Sequence, residues 1–455
     1  MRILSSPNLR AELRANLALA LPLLAAQLLF ISMGTVDTIV AGRLGAAPLA
    51  AVAVGSNLWF MIFVLFWGLF MAVSPIVAQR FGAGRPPREC GAFLRGALGL
   101  AAVLGAGWLA LLLLVIEPVL ALLQLEPATH ALAAGYLRAI APGTVPFALF
   151  FALRNAAEGA GQTRATLWAG LVGFLVNAAL DYGLAFGAWG LPAMGAIGCG
   201  VASAVAGTAM VLAFAVMYRW HPRLRELELY RRDGWRPGAA AGEVLRLGGP
   251  IALIITAEAW LFLVGGLLMA RFGTDAVAAH QIAINFASIT FMVPMSIGMA
   301  TTVRVGYAAG AGDGAAVRLR GLAGIGMGAC FALVSASLMA LLPAAIVSLY
   351  TDAAGVSALA AGFLYYAAVF QVADCVQATA NGALRGIKDA RVPMLITVSA
   401  YWLLGLPLAV TLAFQTQLGP PGIWLGFIAG LAAAAAGLAA RFLRRTRGDG
   451  APARS

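Results

Sequence analysis

Twelve stretches of this chain stay apolar for about 20 residues or more, the length an α-helix needs to cross the hydrocarbon core of a bilayer. They centre near residues 28, 65, 104, 143, 176, 206, 260, 292, 331, 370, 403 and 431. Inside a bilayer every backbone N–H and C=O must be satisfied within its own span, so runs of this kind fold as helices. The expected fold class is therefore an all-α polytopic membrane protein with twelve transmembrane helices. Composition agrees: 62% of the 455 residues are hydrophobic and 11% are charged, too apolar a chain for a surface that faces water on all sides. Little sequence is left over for any other domain.

Basic residues collect in the short loops on the cytoplasmic side of a membrane protein. With the N-terminus inside, cytoplasmic segments hold Arg2, Arg10 and Arg14, the Arg80 to Arg95 loop, Arg154 and Arg164, the Arg219 to Arg246 loop, Arg304 to Arg320, Arg385 to Arg391 and the tail from Arg441. Of 30 basic residues only Arg43, Arg138 and Arg271 fall outside, leaving 27 inside. Both termini are thus expected in the cytoplasm. The net charge of +12 follows from this bias and reads as contact with anionic lipid head groups, not as a nucleic-acid surface. The N-terminal run is too long for a secretory signal and lacks a small-x-small cleavage site, so it is read as the first span. Cys90, Cys199, Cys330 and Cys375 stand too far apart for a disulfide framework or a metal motif.

The chain repeats itself. A shift of 228 residues places Pro22 on Pro250, Arg43 on Arg271, Gly45 on Gly273, Asn57 on Asn285, Phe63 on Phe291 and the GAG at 82–84 on the GAG at 310–312. Each half then has six helices and the same orientation in the membrane, a layout of transporters whose site lies between two bundles. The expected organisation is a six-helix bundle over 1–219, a cytoplasmic linker over 220–245, a second six-helix bundle over 246–443 and a basic tail over 444–455.

Four acids sit well within predicted spans: Asp37, Asp181, Glu258 and Asp374. An ionised side chain at mid-bilayer costs roughly 2.5–3.5 kcal/mol on insertion scales, so four would cost on the order of 10 kcal/mol unless compensated. With no Lys or Arg expected at matching depth, two explanations remain: the acids are protonated, or they hold a cation in a wet cavity. The repeat does not account for them, because Asp37 falls on Gly265 and Glu258 on Phe30. Satisfaction by backbone and neighbours is the structural alternative. Glu158, at the end of the fourth span, is a poorer candidate.

The stretches VDTIVAGRLGAAPLAAVAVG, AVAAHQIAINFASITFMVPMSIGMATTVRVGYAAGAGD and NGALRGIKDARVPM resemble the multidrug and toxic compound extrusion family in its NorM-like branch, and the resemblance covers nearly the whole chain. It implies two pseudo-symmetric bundles forming a V around a central cavity, with organic cations leaving the cell in exchange for Na⁺ or H⁺. It makes Asp37, Glu258 and Asp374 members of the coupling set. The segment NAALDYGLAFG is similar to the family's fifth helix, which would bring Asn177 and Asp181 to a cation site with Asp37, and Ser203 would occupy the place of a sixth-helix hydroxyl ligand. Some members carry an amide where Asp181 stands, so ion sites in both bundles remain open, and so does the choice of ion. Na⁺ prefers carboxylate, amide and hydroxyl oxygens, which Asp37, Asn177 and Asp181 supply; a proton needs only a carboxylate whose affinity changes with its hydration.

Pro22 and Pro250 each remove a backbone hydrogen bond from a span and are candidate hinges, with static kinks the alternative. Phe286, Phe291, Met292 and Met295 are candidates for lining a permissive cavity, against packing in the core or facing lipid. His280 is read as a helix–helix hydrogen-bond partner, and GAGAGDG around Gly310 as a turn, since no GKS or GKT follows and no strand precedes it. Three scattered histidines and no nucleotide-binding domain argue against an enzyme or an ATP-driven pump. The expectation is a cofactor-free, monomeric exporter of cationic amphipathic drugs in a bacterial inner membrane, in contact with lipid. A lipid-linked oligosaccharide flippase of the same superfamily is the alternative; it would need basic residues in its cavity.

Overall fold

The computed structural model describes residues 8–231 and 237–447. Among them are twelve helices long and apolar enough to span a membrane: α1 Leu9–Leu44, α2 Ala46–Gly82, α3 Pro87–Leu122, α4 Pro127–Gly159, α5 Thr163–Phe186, α6 Ala196–Trp220, α7 Gly238–Phe272, α8 Thr274–Gly310, α9 Gly314–Leu341, α10 Ala354–Gly386, α11 Arg391–Phe414 and α12 Pro421–Arg445. The expected all-α architecture is what the chain adopts. The shift of 228 is visible in the helix bounds, since it carries α2 onto α8 and α5 onto α11 end to end. It also carries Gly45 onto Gly273, which both begin a helix with a positive φ, 125° and 98°, a backbone state that residues with a Cβ rarely adopt. Pro87, Pro127 and Pro421 open helices at a position where the missing N–H costs nothing. The GAGAGDG stretch is a turn, as expected, with Asp313 Oδ1 accepting from the Ala316 N–H at 2.8 Å to cap α9.

The chain divides into two compact units, and the division differs from the expected one. One, here the N-unit, comprises Pro22–Val77 and Arg85–Gly249; the other, the C-unit, comprises Met1–Leu21, Ala78–Gly84 and Pro250–Ser455. The boundaries fall inside α1 and α7, at Pro22 and Pro250, so the first turns of each helix belong with the half of the sequence they do not come from. Polar packing explains the assignment of Leu9–Leu21 to the C-unit. Glu12, almost fully buried, accepts from Arg304 Nε at 2.7 Å and from Arg320 Nε at 3.2 Å, and Arg304 Nη2 also donates to it. One turn further, Asn16 Nδ2 donates to Thr301 Oγ1 at 2.9 Å. The short piece Ala78–Gly84 joins the same unit through Gln79 Nε2, which donates to the Gly386 carbonyl at 2.8 Å. There the repeat-related Gly82 and Gly310 permit close approach: a Cβ at the first would overlap the Tyr307 carbonyl, and at the second the Gln79 carbonyl.

Two more sequence readings are revised. The linker expected over 220–245 is shorter, because the Ala-rich stretch from Pro237 is already helical; its helix propensity outweighs the charges of Glu243 and Arg246 that suggested a loop. Residues 232–236 of that linker, Arg2 and the tail beyond Arg447 lie outside the described residues. Arg154, Arg304 and Arg320, read as loop residues, are buried in helices. Each is held by a carboxylate, which lets it sit where an unpaired guanidinium would be costly. Arg154 Nε donates to Glu158 at 2.7 Å and its Nη2 to Gln27 at 2.8 Å, so Glu158 is an ion-pair partner.

The N-unit core is aromatic. Trp59 stacks on Trp108 with ring centroids 4.4 Å apart, and Phe63 meets Phe147 and Phe151 edge to face. In the C-unit, Trp424 and Phe427 of α12 pack against Phe262 and Phe370. His280 is buried and meets Trp424 edge to face at 5.4 Å, while its Nδ1 has no hydrogen-bond partner. Its contact with α12 is thus made through the ring, where the sequence suggested a hydrogen bond.

Candidate functional site: two buried carboxylate clusters

Within the N-unit, three helices converge on Asp37. Asn177 and Asp181 stand one helical turn apart on α5, so they share a face. Asn177 Nδ2 donates to Asp37 Oδ1 at 3.2 Å, and Ser203 Oγ on α6 donates to Asp37 Oδ2 at 3.1 Å. Asn177 Nδ2 also reaches Ser203 Oγ at 3.4 Å. Asn177 and Asp181 are completely buried, and Asp37 and Ser203 are 5% and 7% exposed. All four expected residues therefore come together.

What these atoms lack is informative. Asp37 has its donors, but among the described residues Asn177 Oδ1 and both oxygens of Asp181 have no hydrogen-bond partner, with Asp181 standing beside Asp37 and the Cys199 thiol. Two ionised carboxylates cannot face one another in a buried site without a positive charge between them. A proton shared by the pair would meet that need, as would a cation that binds the free oxygens. Cys199, one turn before Ser203, and Tyr136 of α4 border the acids.

Within the C-unit, a second cluster forms around Glu258 of α7. Gln377 Nε2, on α10, donates to Glu258 Oε2 at 3.1 Å. Tyr401 of α11 donates its hydroxyl to Gln377 Oε1 at 2.6 Å and stands 3.3 Å from the same Glu258 oxygen. Asp374, one turn before Gln377, is 3% exposed, and its Oδ1 has no hydrogen-bond partner. Asp374 and Glu258 interact electrostatically, as do Glu258 and the half-buried Arg385 of α10. The sequence placed Arg385 in a cytoplasmic segment; it stands in the last turn of α10, which continues to Gly386, eleven residues beyond Asp374.

Of the remaining candidates, Pro22 and Pro250 lie within continuous helix at the unit boundaries. Phe286, Phe291, Met292 and Met295 are half-buried on α8, and Phe286 packs on the C-unit core. Sequence reasoning missed Gln377 and Tyr401. Their signal was a polar side chain in an apolar run, one turn from Asp374 in the first case and four residues before the conspicuous Gly405-Leu406-Pro407 in the second.

Two six-helix halves of one repeat, each carrying buried carboxylates in its spans, define a polytopic membrane protein of transporter type. The chain belongs to the MatE family, whose model matches residues 22–183 and 250–411, two segments separated by the same shift of 228. It is 41% identical to the multidrug resistance protein PmpM of Pseudomonas aeruginosa, over 97% of this chain and 93% of that one. It is 40% identical to the probable multidrug resistance protein NorM of Xanthomonas campestris pv. campestris, over 97% and 96%. Among solved structures, its fold is similar to a multidrug resistance MATE family transporter in an outward-facing conformation, with a TM-score of 0.88, 19% identity and coverage of 98% and 97%. It is also similar to the eukaryotic MATE transporter AtDTX14, with a TM-score of 0.86, 18% identity and coverage of 96% and 99%.

Proposed function

We propose that this protein is a secondary multidrug exporter that trades cationic amphipathic compounds for Na⁺ or H⁺ across a bacterial inner membrane, with both termini in the cytoplasm. The observation that carries the reading is the pairing of Asp37 with Asp181 beside Asn177 and Ser203, a buried set with more acceptor oxygens than donors. The kinship with proteins named for multidrug resistance supports the substrate class. The entering ion is cargo, not a resident cofactor. Asp37, Asn177, Asp181 and Ser203 supply hard oxygens for Na⁺ or a carboxylate pair for a proton, and Glu258 with Asp374 forms the second candidate ion site. Coupling requires that ion and drug favour different states or compete for the same carboxylate. Moving a monovalent cation outward costs about 2.3 kcal/mol per 100 mV, which one entering charge offsets, so the Na⁺ or pH gradient drives accumulation. The protein works as a monomer in contact with anionic lipids, and Pro22 and Pro250 act as hinges.

A lipid-linked oligosaccharide flippase would need basic groups facing its cargo. Arg154, Arg304 and Arg320 are instead bound to Glu158 and Glu12, which favours the exporter.

The test uses purified protein in sealed liposomes loaded with ethidium, with inward Na⁺ and proton gradients imposed separately. Ethidium export by the wild type under one gradient, and its loss in Asp37→Asn, is the expected result. No gradient-driven ethidium movement by folded wild-type protein would overturn the reading.

A further inference from the structure

We propose that Tyr182, Phe186 and Trp189, with Trp168 at the opposite end of the same helix, form a docking surface for the boundary between the head groups and the hydrocarbon of a phospholipid bilayer. The inference requires only that α5 spans a membrane, so it stands apart from the choice of cargo and coupling ion.

The surface follows from the two faces of α5. Gly170, Gly173, Asn177, Asp181 and Leu184 recur every three or four residues and are buried, which turns the acid-bearing face into the N-unit. Trp168, Val172, Leu175, Ala179, Tyr182 and Phe186 recur with the same period and are all exposed. This second stripe is aliphatic in its middle and aromatic at both ends. Phe186 lies 18 residues after Trp168, about 27 Å along a helix that rises 1.5 Å per residue, close to the ~30 Å thickness of the hydrocarbon core. Tyr and Trp collect at the two edges of that core, because the ring is apolar while its O–H or N–H reaches water and lipid carbonyls.

The turn after α5 brings Trp189 to the same edge, and it does so through a strained backbone. Gly187, Trp189 and Gly190 have φ of 72°, 56° and 78°. Glycine adopts this left-handed state freely, whereas a bulky L-residue rarely does. Gly or Asn would fit the turn more easily, so the indole is kept for what it touches. The turn folds the ring back along the helix: Trp189 meets Tyr182 with ring centroids 5.7 Å apart, and Tyr182 meets Phe186 at 5.3 Å. A Cβ at Gly183 would stand 3.2 Å from the Trp189 ring. The Met194 N–H, donating to the Leu184 carbonyl at 2.7 Å, ties the chain beyond the turn to α5. Even so, Trp189 is 72% exposed and Trp168 59%. Rings gathered at the end of a span and left uncovered by their own chain match the bilayer edge in depth and in polarity.

The repeat sets this surface apart from the shared scaffold. A shift of 228 puts Ile396, Val410 and Gln417 at the positions of Trp168, Tyr182 and Trp189. Only Phe186 keeps an aromatic counterpart, Phe414, which stacks on Phe272 at 5.1 Å. The aromatic ends therefore belong to the helix that carries Asn177 and Asp181, and not to its counterpart α11. They set one edge of the hydrocarbon core at Phe186, about 7.5 Å along the helix axis from Asp181.

The test uses the full protein in nanodiscs of phosphatidylcholine brominated either high in its acyl chains, near the head groups, or low, near the bilayer centre, with acrylamide as the quencher in water. Subtracting the fluorescence of Trp189→Tyr from that of the wild type isolates Trp189, and Trp189→Asn, which relaxes the turn, gives a second subtraction. In both, the high-brominated lipid should quench Trp189 at least about twofold more than the low-brominated lipid, and acrylamide should quench it less than either. Trp168, isolated with Trp168→Phe, should follow the same order. Quenching of Trp189 by acrylamide with no effect of either lipid would overturn the proposal, since the ring would then face water. Insensitivity to all three quenchers would also overturn it, because protein, such as a second copy of this chain, would then cover the ring.

Discussion

At the scale of single residues, the acids were the legible part of this chain. A carboxylate in a run that is otherwise apolar stands out, because leaving it ionised and unpaired costs several kcal/mol. Asp37, Asp181, Glu258 and Asp374 were all recognised in that way, and the structure groups them in two pairs, one per unit. The neutral members were harder to see. Asn177 and Ser203 entered only through a family resemblance, and Gln377 and Tyr401 were missed, since an amide or a phenol in a span is common and needs no charge compensation. Burial and distance separate them from ordinary polar residues. The hydrogen bond from Ser203 to Asp37 at 3.1 Å gives a graded expectation: Ser203→Ala removes one donor worth about 1 kcal/mol. The ion concentration for half-maximal export should therefore shift by a factor of roughly five, with export retained. A loss as complete as that of Asp37→Asn would mean that Ser203 does more than orient the carboxylate.

At the scale of helices, periodicity and length located all twelve spans, and the shift of 228 residues held to the ends of α2 and α8. The partners of each helix did not follow from the sequence. Glu12 looked like an ordinary residue at the start of a span, and Arg304 and Arg320 looked like loop cations; only tertiary packing pairs residues some 290 to 310 positions apart. That cluster holds the first turns of α1 to the C-unit while Gln27, Asp37 and the rest of α1 belong to the N-unit. Glu12→Gln would remove the carboxylate charge that pairs with the fully buried Arg304, a change that costs about 3–5 kcal/mol when a buried pair is broken on one side. Thermal unfolding in detergent should show a clear drop in midpoint for Glu12→Gln and little change for Glu89→Gln, whose Arg85 partner is exposed. Equal midpoints would show that the Glu12 cluster does not anchor α1.

At the scale of the whole molecule, the repeat explains why the two halves share a scaffold, and the carboxylates explain why they need not share a task. Asp37 has no acid at its repeat position and neither has Glu258, so the units carry different chemistry on the same helices. Orientation in the membrane rests on the arginine bias. Single cysteines placed at Arg88 and at Gln415, in a background with the four native cysteines replaced, should react with an impermeant thiol reagent from the cytoplasmic and the outer side respectively. The reverse pattern would invert the topology. The central claim is that Asp37 couples ion to drug, and by reciprocity a drug gradient must then move the ion. The most direct test loads liposomes with ethidium, imposes no ion gradient, and records ethidium efflux together with H⁺ and Na⁺ uptake in the same vesicles. The account predicts that wild-type efflux draws in one of the two ions and that Asp37→Asn abolishes this exchange. Ethidium leaving with no ion entering, or ion uptake undiminished in Asp37→Asn, would contradict it.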